Sequence, residues 1–283
     1  MNIKTIQIPS LPGIEDFYSK YWNKKPFFVK NALPQDILDD LITADELAGL
    51  SLEEDVRSRI IYSMSWKCEH GPFEEDKFST LGEEGWSLLV QDVEKNHPPT
   101  KKIIDAFTFS PCWLIDDVMV SYSPPGGGVG PHLDSYHVFL IQGTGRRQWK
   151  VGQQKVMHEK YIPGLDIKVL ADDFDGEVIE VEEGDVLYIP PYFAHSGKTI
   201  EESLTFSLGF LGPTISELLG EYALFIEEQD MINQRYDGDQ LDAGSAGNKI
   251  SAKEVENFRE SLKSALNSDQ FEKWLKDYFK KDD

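Results

Sequence analysis

Residues 118–151 read VMVSYSPPGGGVGPHLDSYHVFLIQGTGRRQWKV, and this stretch indicates how the chain folds. It begins with alternating apolar residues, the pattern of a β-strand whose two faces differ. Prolines and glycines interrupt the pattern at 124–128, a second apolar run covers 137–142, and the glycines at 143–145 predict a hairpin turn before Arg147. The stretch is therefore predicted to form short strands joined by tight turns.

The same pattern extends over residues 113–211, where short apolar or alternating segments are separated by Gly, Pro and Asp. Many short strands with closely spaced turn signals favour a sandwich or barrel over a parallel βαβ sheet. Strands at 178–181, 185–189 and 204–210 are predicted to complete it, whereas 190–195 is predicted to be a turn. The fold class predicted from these segments is mainly β with helical additions.

The N-terminal part is predicted to add α/β elements to this β core. Helical spacing appears at 14–22 and 98–109, and Thr43 is positioned to cap a helix whose first turn contains Asp45 and Glu46. Strands are predicted at 25–30, 56–62, 66–73 and 85–91.

After Pro213 the pattern becomes helical, at Ile215–Glu228, Ala252–Leu266 and 271–279. The predicted domains are accordingly 1–212, the β domain with its N-terminal elements, and 213–283, a helical region. Its apolar faces need a partner, so the helices are predicted either to dimerise the protein or to pack on the β domain.

The composition limits the choice of partners and location. The chain has 50 acidic and 28 basic residues and a formal net charge of -22, which disfavours direct nucleic-acid binding and suits a basic protein partner. Its two cysteines, Cys68 and Cys112, form no zinc or disulfide pattern. No apolar run resembles a signal peptide or a membrane span, so a cytoplasmic location without membrane contact is predicted.

His132 and Asp134 are the first candidate site residues. Side chains two residues apart on a strand project to one face, so the imidazole and the carboxylate are expected to lie side by side. His195, 63 residues after His132, is far enough along the chain to come from another wall of the sandwich. Two imidazoles and one carboxylate form the ligand set of non-haem Fe(II) oxygenases, with open positions for a chelating cosubstrate and O2.

Arg147 is the second candidate, because one tight turn returns its strand to the mouth of the same site. A buried guanidinium there would bind a carboxylate in a bidentate manner, as a dicarboxylic acid such as 2-oxoglutarate requires. Arg146 and His137 are expected to point away from the site, and the remaining histidines, in polar stretches, are predicted to have no role in it. The glycines at 126–128 lack a following Gly-Lys-Ser/Thr and are predicted to permit close backbone approach instead of binding phosphate.

Several motifs taken together resemble the bacterial JmjC-type ribosomal oxygenases. They are PPGGGVGPHLD at 124–134, QGTGRR at 142–147 and GDVLYIPP at 184–191, supported by DELAGL at 45–50, HGPF at 70–73 and WSLLVQ at 86–91. Members of this family continue beyond a helical dimerisation region into a winged-helix-like domain, which this chain is not expected to contain.

The resemblance implies a double-stranded β-helix (cupin/JmjC) core. It also implies that His132, Asp134 and His195 bind Fe(II) and are the catalytic residues. It further implies that Arg147 binds the distal carboxylate of 2-oxoglutarate, assisted by Ser121 or Ser123, of which Ser121 is preferred. The implied reaction uses O2, decarboxylates 2-oxoglutarate to succinate and CO2, and hydroxylates an arginine of a basic large-subunit ribosomal protein.

Three alternatives remain open at this point. Related oxygenases act on histidyl or asparaginyl side chains, and a cupin-like protein can bind metal as a scaffold without turnover. A zinc- or manganese-dependent cupin isomerase would leave Arg147 without a purpose, and an intact ligand set with Arg147 argues against a scaffold.

Overall fold

A computed structural model describes residues 11–228, 235–238, 241 and 246–280. The chain divides into two compact units, of which one ends at Gly212 and the other begins at Pro213. In the part of the chain that is described, no helix is long and apolar enough to cross a membrane.

Antiparallel strands dominate the first unit. They are β1 Phe27–Val29, β2 Ser58–Tyr62, β3 Lys67–His70, β4 Trp86–Val90, β5 Ile115–Ser123, β6 His137–Thr144, β7 Arg147–Lys155, β8 Gly176–Val181, β9 Val186–Ile189, β10 Phe193–Thr199 and β11 Ser203–Phe210. The large sheet has the order β1-β9-β6-β11-β5-β4-β2-β3, and the small sheet has the order β10-β7-β8. The predicted fold class, a mainly β protein of the jelly-roll or cupin type with helical additions, is confirmed.

The two faces of the large sheet have different environments, because successive side chains alternate between them. On the inner face, Val138 and Leu140 of β6 pack against Trp149 and Val151 of β7, which joins the two sheets. The outer face belongs to the largest core cluster and presents rows of fully buried apolar side chains: Val118, Val120, Phe139, Ile141, Phe206 and Phe210.

The N-terminal helices cover that outer face. They are α1 Ile14–Asp16, extended by a π-helical turn Phe17–Tyr21, then α2 Gln35–Leu38, α3 Ala44–Leu50, α4 Lys77–Thr80, α5 Val93–Asn96 and α6 Lys101–Ala106. Thr43 caps α3 as predicted, since its hydroxyl accepts from the Glu46 N–H while the Glu46 carboxylate accepts from the Thr43 N–H. Phe17 packs edge-on against Phe109 and close to Phe139, which joins this layer to the sheet.

Three sequence predictions about local structure were wrong. The helix predicted over 98–109 is divided into a 3-10 turn Pro98–Thr100 and the short α6, because two prolines occupy its first turn. The segment 190–195 is a turn only as far as Tyr192, and β10 begins at Phe193. His132 and Asp134 do not lie on a continuous strand, because His132 forms an isolated β-bridge.

The second unit contains α7 Ile215–Glu228, α8 Ala252–Leu266 and α9 Asp269–Tyr278. Tyr222 lies at its centre, where its ring packs against Phe271 and Trp274 and its hydroxyl donates to the Ala265 carbonyl at 3.2 Å. Ser251 and Ser268 cap the last two helices through their side chains. Each helical segment predicted after Pro213 is therefore present.

Candidate metal and cosubstrate site

Three of the predicted site residues converge at one point of the β unit. One ligand atom from each of His132, Asp134 and His195 lies within 4.8 Å of the others. The Nε2 atom of His195 is 3.3 Å from Oδ2 of Asp134, and the two imidazole centroids are 4.2 Å apart. The cluster therefore combines two ring nitrogens with one carboxylate oxygen.

Backbone pairing between distant segments positions this cluster. The His132 N–H donates to the His195 carbonyl at 3.0 Å, and the His195 N–H donates back at 3.1 Å. Gly130, with a φ of +82°, and Pro131 precede His132 and prevent a longer strand there. The Tyr192 N–H donates to the Asp134 carbonyl at 2.8 Å, which fixes the carboxylate beside the bridge.

Backbone carbonyls also orient both imidazole rings. Nδ1 of His132 lies 2.9 Å from the Gly130 carbonyl, and Nδ1 of His195 lies 3.0 Å from the Phe193 carbonyl. A carbonyl oxygen only accepts, so each Nδ1 carries a proton, and the Nε2 of the same ring is directed towards the cluster. Outer hydrogen bonds of this kind fix ring orientation in metal sites.

The electrostatics of the cluster suit a divalent cation. Burial, with a smaller effect of His195, lowers the pKa of His132 to about 4, so that its ring is neutral at pH 7. Burial alone would raise the pKa of Asp134, but the hydrogen bond and charge of His195 outweigh it and lower the pKa. Two imidazoles and an ionised carboxylate match the ligand preferences of Fe(II), and the residues present therefore fit this metal.

Arg147 begins β7 and is 4% exposed. Its guanidinium donates to three hydroxyls, with distances of 2.7 Å to Ser123 Oγ, 3.3 Å to Ser121 Oγ and 3.2 Å to Thr199 Oγ1. Burial lowers the pKa of Arg147 to about 10, so that it stays protonated at pH 7. Among the described residues no carboxylate pairs with this cation, and an uncompensated buried charge calls for an anionic ligand.

Arg146 provides the contrast that the sequence predicted. Its side chain is partly exposed and pairs with Glu201 at 2.8 Å on the outside of the sandwich. His137 likewise faces away from the cluster, since it stacks on Trp22 at 3.7 Å and bonds to the Tyr188 hydroxyl.

One cavity of about 320 Å³ contains both the cluster and Arg147. The hydroxyl residues Ser87, Ser121, Thr205 and Ser207 line it from the large sheet. Gly128 lies in its wall so close to Gly197 that an added Cβ would be 2.2 Å from the Gly197 carbonyl, the close approach that the sequence predicted for the glycines at 126–128.

Two further residues near this site were not singled out from the sequence. Asp117 lies on the same face of β5 as Ser121, and Tyr136 lines the cavity two residues after Asp134. Both side chains lie over Gly209, since a Cβ added there would be 3.5 Å from Asp117 Oδ1 and 3.6 Å from the Tyr136 ring. The odd numbering shared by Asp117, Met119, Ser121 and Ser123 is the signal that predicts a common face.

Comparison with known proteins assigns the class. Residues 102–218 match the JmjC domain family. The antiparallel sandwich, the His-Asp-His cluster and this match together define an oxygenase of the JmjC type. JmjC oxygenases depend on Fe(II) and 2-oxoglutarate, which are the cofactors predicted from the sequence.

Individual relatives narrow the class to a family. Ribosomal protein uL16 3-hydroxylase of Escherichia coli is 38% identical over 267 residues, which are 93% of this chain and 70% of that protein. A probable ribosomal oxygenase of Haemophilus influenzae is 39% identical over 210 residues, so the match covers 72% of this chain and about half, 51%, of that protein. This chain belongs to the JmjC-type ribosomal oxygenase family.

Solved structures agree with this assignment. An X-ray structure of E. coli YcfD superimposes with a TM-score of 0.84 at 36% identity, over 97% of this chain and 73% of that one. Another structure of YcfD contains cobalt and 2-oxoglutarate and superimposes with a TM-score of 0.80 at 35% identity, over 95% of this chain and 71% of that one.

Proposed function

We propose that this protein is an Fe(II)- and 2-oxoglutarate-dependent hydroxylase of an arginine side chain in a large-subunit ribosomal protein. The observation that carries the proposal is the pairing, in one cavity, of the His-Asp-His cluster with a buried guanidinium whose hydrogen bonds within the described part of the chain all go to hydroxyls. Such a cavity is complementary to a metal ion and to a dicarboxylate that bridges from the metal to the guanidinium.

His132, Asp134 and His195 would hold Fe(II) through two Nε2 atoms and a carboxylate oxygen. When bound, Fe(II) would supply the site at which O2 is activated: one oxygen atom would enter succinate as 2-oxoglutarate loses CO2, and the other would enter the substrate C–H bond. The chain itself supplies ligands of fixed orientation and keeps the His132 imidazole neutral and available for the metal.

Arg147 would bind the distal carboxylate of 2-oxoglutarate. Ser121 and Ser123 both accept from its guanidinium, with Ser123 at the shorter distance, so both serines support Arg147 in the proposed site. Ser123 in turn lies 2.7 Å from the Ser87 hydroxyl, which holds it in place. These neutral hydroxyls orient the guanidinium and leave its charge available to the ligand.

Asp117 and Tyr136 support arginine as the residue hydroxylated. Desolvation raises the pKa of Asp117 to about 6, so this carboxylate is ionised at pH 7 in a largely buried setting. Its Oδ2 accepts from the Asp92 N–H at 3.4 Å, and no further hydrogen bond from the described residues engages Oδ1. A carboxylate beside an aromatic ring suits a guanidinium, through a charge-assisted hydrogen bond and a cation–π contact.

The charge of the whole chain supports a basic partner. Its formal net charge of -22 attracts a basic ribosomal protein and repels the phosphates of RNA, in line with the prediction of no direct nucleic-acid binding. A substrate of this kind also agrees with the predicted cytoplasmic location.

The helical unit supports the predicted homodimer. Val255, Phe258 and Leu262 form an apolar stripe along α8 and are 40%, 41% and 66% exposed. Because such a stripe on a helix normally faces a partner, the proposed occupant is the same stripe of a second copy. Sedimentation of the wild type and of Leu262→Glu tests this, with a dimer-to-monomer change expected and a monomeric wild type contradicting it.

Mass spectrometry of peptides tiled along E. coli uL16 tests the enzymatic proposal. Incubation with Fe(II), 2-oxoglutarate and O2 is expected to add one oxygen atom to an arginine, and His132→Ala supplies the matched control. Modification of a histidine or asparagine instead would show that the proposed target residue is wrong and that the proposed type of reaction is right. Succinate without peptide modification would remove uL16 as the substrate, and no succinate would favour a metal-binding scaffold.

A further inference from the structure

Arg59 is a cation in the cavity wall that the proposed reaction does not use. It lies on β2 and points to the inner face of the large sheet, where it lines the cavity together with Ile61 of the same strand. Its cross-strand neighbours are His70 on β3 and Leu89 on β4, neither of which carries a carboxylate. Among the residues that the structure describes, Arg59 forms no hydrogen bond and no ion pair.

The neighbouring cations are engaged, which makes Arg59 distinctive. Arg57, which directly precedes β2, pairs with Asp92 at 2.7 Å. Lys67 pairs with Glu69, and Lys168 in the cavity wall lies over the Tyr161 ring at 5.6 Å. Asp166 lines the same cavity but forms no ion pair with Arg59 among the described contacts.

Arg59 lies close enough to the metal-binding cluster for its charge to act on the cluster. Its charge interacts with His132 and Asp134 of the cluster and with Tyr136, the aromatic residue proposed to contact the substrate arginine. Arg147, by contrast, lies among the hydroxyls at the other part of the cavity. The two guanidiniums therefore serve different parts of the site.

The formal charges of the proposed complex leave Arg59 without a partner. Those of Fe(II), Asp134, Arg147 and the two carboxylates of 2-oxoglutarate cancel, and Asp117 balances the guanidinium of the substrate. A partly buried guanidinium then still lacks acceptors among the described residues, since Asp166 of the same cavity forms no ion pair with it, and the bound substrate can supply them. A basic ribosomal segment has few carboxylates, whereas each of its residues has a main-chain carbonyl oxygen.

We infer that Arg59 is a substrate-positioning residue that donates hydrogen bonds to main-chain carbonyl oxygens of the ribosomal peptide beside the target arginine. This inference rests on the proposed function. The rigid, planar guanidinium can donate two parallel hydrogen bonds and so fixes the peptide along the β2 wall of the cavity. Together with the proposed contact between Asp117 and the substrate arginine, these hydrogen bonds orient the target carbon towards the metal cluster.

Peptide binding without turnover tests the inference. The Fe(II)-loaded protein with 2-oxoglutarate is titrated, in the absence of O2, with the uL16 peptide that the wild type hydroxylates. Arg59→Gln is expected to raise the peptide Kd about tenfold to hundredfold, the loss expected for hydrogen bonds from a charged group. Arg59→Lys should recover part of this affinity, and the exposed Arg146→Gln serves as the matched control with an unchanged Kd.

The same variants distinguish the competing explanations. The Kd for 2-oxoglutarate is expected to stay within about twofold of the wild type, and a large increase would mean that Arg59 binds the cosubstrate instead. An unchanged peptide Kd in Arg59→Gln would also overturn the inference. Replacing the flanking side chains of the peptide by alanine should leave the Arg59 effect intact, since main-chain carbonyls remain, and loss of the effect would contradict main-chain recognition.

The experiments distinguish an error in the proposed function from an error in the role inferred for Arg59. If the wild type modifies no uL16 peptide, the function and the inference fall together. If the wild type modifies a peptide whose affinity does not depend on Arg59, the function stands and the inference alone is wrong.

Discussion

The two faces of the large sheet carry different properties of the molecule. On its outer face, Val118 and Val120 of β5 and Phe206 of β11 are fully buried among apolar side chains. On its inner face, the same strands present Met119, Ser121 and Ser207 to the cavity. Adjacent residues on one backbone therefore belong either to the core or to the candidate site.

The difference shows how stability and function are separated within single strands. The outer face contributes hydrophobic burial of about 25 cal/mol per Å² of apolar surface, which stabilises the fold. The inner face presents hydroxyls that bind the buried guanidinium of Arg147 from the small sheet, and the burial of such polar groups does not stabilise the fold. Substitutions on the two faces are expected to affect different measurements, and the following variants are given from the largest effect to the smallest.

His132→Ala is expected to abolish turnover while the protein remains folded. In metal sites, loss of a residue that hydrogen-bonds to a ligand already lowers metal affinity or activity about 10- to 100-fold, and loss of a direct ligand should lower it further. Iron content after desalting and succinate formation measure the effect. Full iron retention in this variant would remove His132 from the proposed metal site.

Arg147→Met is expected to raise the KM for 2-oxoglutarate by about two to three orders of magnitude, because it removes one member of a buried charge pair. Iron binding should persist. Burial lowers the pKa of Arg147, so the guanidinium destabilises the ligand-free fold, and the free energy of unfolding should not fall in this variant. A cosubstrate KM equal to that of the wild type would exclude Arg147 from the site.

Phe206→Ala tests the outer face and Ser207→Ala the inner face at adjacent positions of β11. The first should lower the free energy of unfolding by about 3–5 kcal/mol through the cavity it creates, and the second should change it by less than about 0.5 kcal/mol. Denaturant unfolding measures both. Equal losses from the two variants would contradict the separation of the two faces.

Asp117→Asn is expected to lower kcat/KM for an arginine peptide about tenfold to hundredfold, through loss of a charged hydrogen-bond acceptor. Because the pKa of Asp117 is raised to about 6, wild-type kcat/KM should fall as the pH drops through 6, and the variant should lack this step. The raised pKa also means that the ionised carboxylate destabilises the fold above pH 6, and that this cost decreases towards pH 4. An identical pH profile in the variant would argue against Asp117 as the arginine-binding group.

Ser121→Ala and Ser123→Ala should have the smallest effects, with the KM for 2-oxoglutarate raised about twofold to tenfold, because each serine acts on the cosubstrate only through its hydrogen bond to Arg147. Ser123→Ala should have the larger effect, because its distance to Arg147 is shorter and it also contacts Ser87. The reverse order would restore Ser121 as the principal partner of Arg147.

Much of the fold follows from local sequence patterns. Alternation predicts β5 and β11, the Thr43 cap predicts α3, and helical periodicity predicts α7 and α8. The strand β10 escaped prediction because the prolines before it indicate a turn, and Tyr192 indeed lies in the left-handed region at φ +65°. Its strand conformation comes from pairing with β7, whose paired residues lie 38 to 52 positions earlier in the chain.

The sequence by itself determined the chemical types at the site: two imidazoles, a carboxylate and a guanidinium, with the spacing of a JmjC oxygenase. Tertiary structure decided how they meet. The bridge between His132 and His195 replaces the continuous strand that spacing predicted, and Arg147 gains hydroxyls from β5 and β10. Residue type and alternation are local properties of the chain, whereas convergence depends on pairing between distant strands, so only the folded chain placed Asp117 by Tyr136 and left Arg59 unpaired.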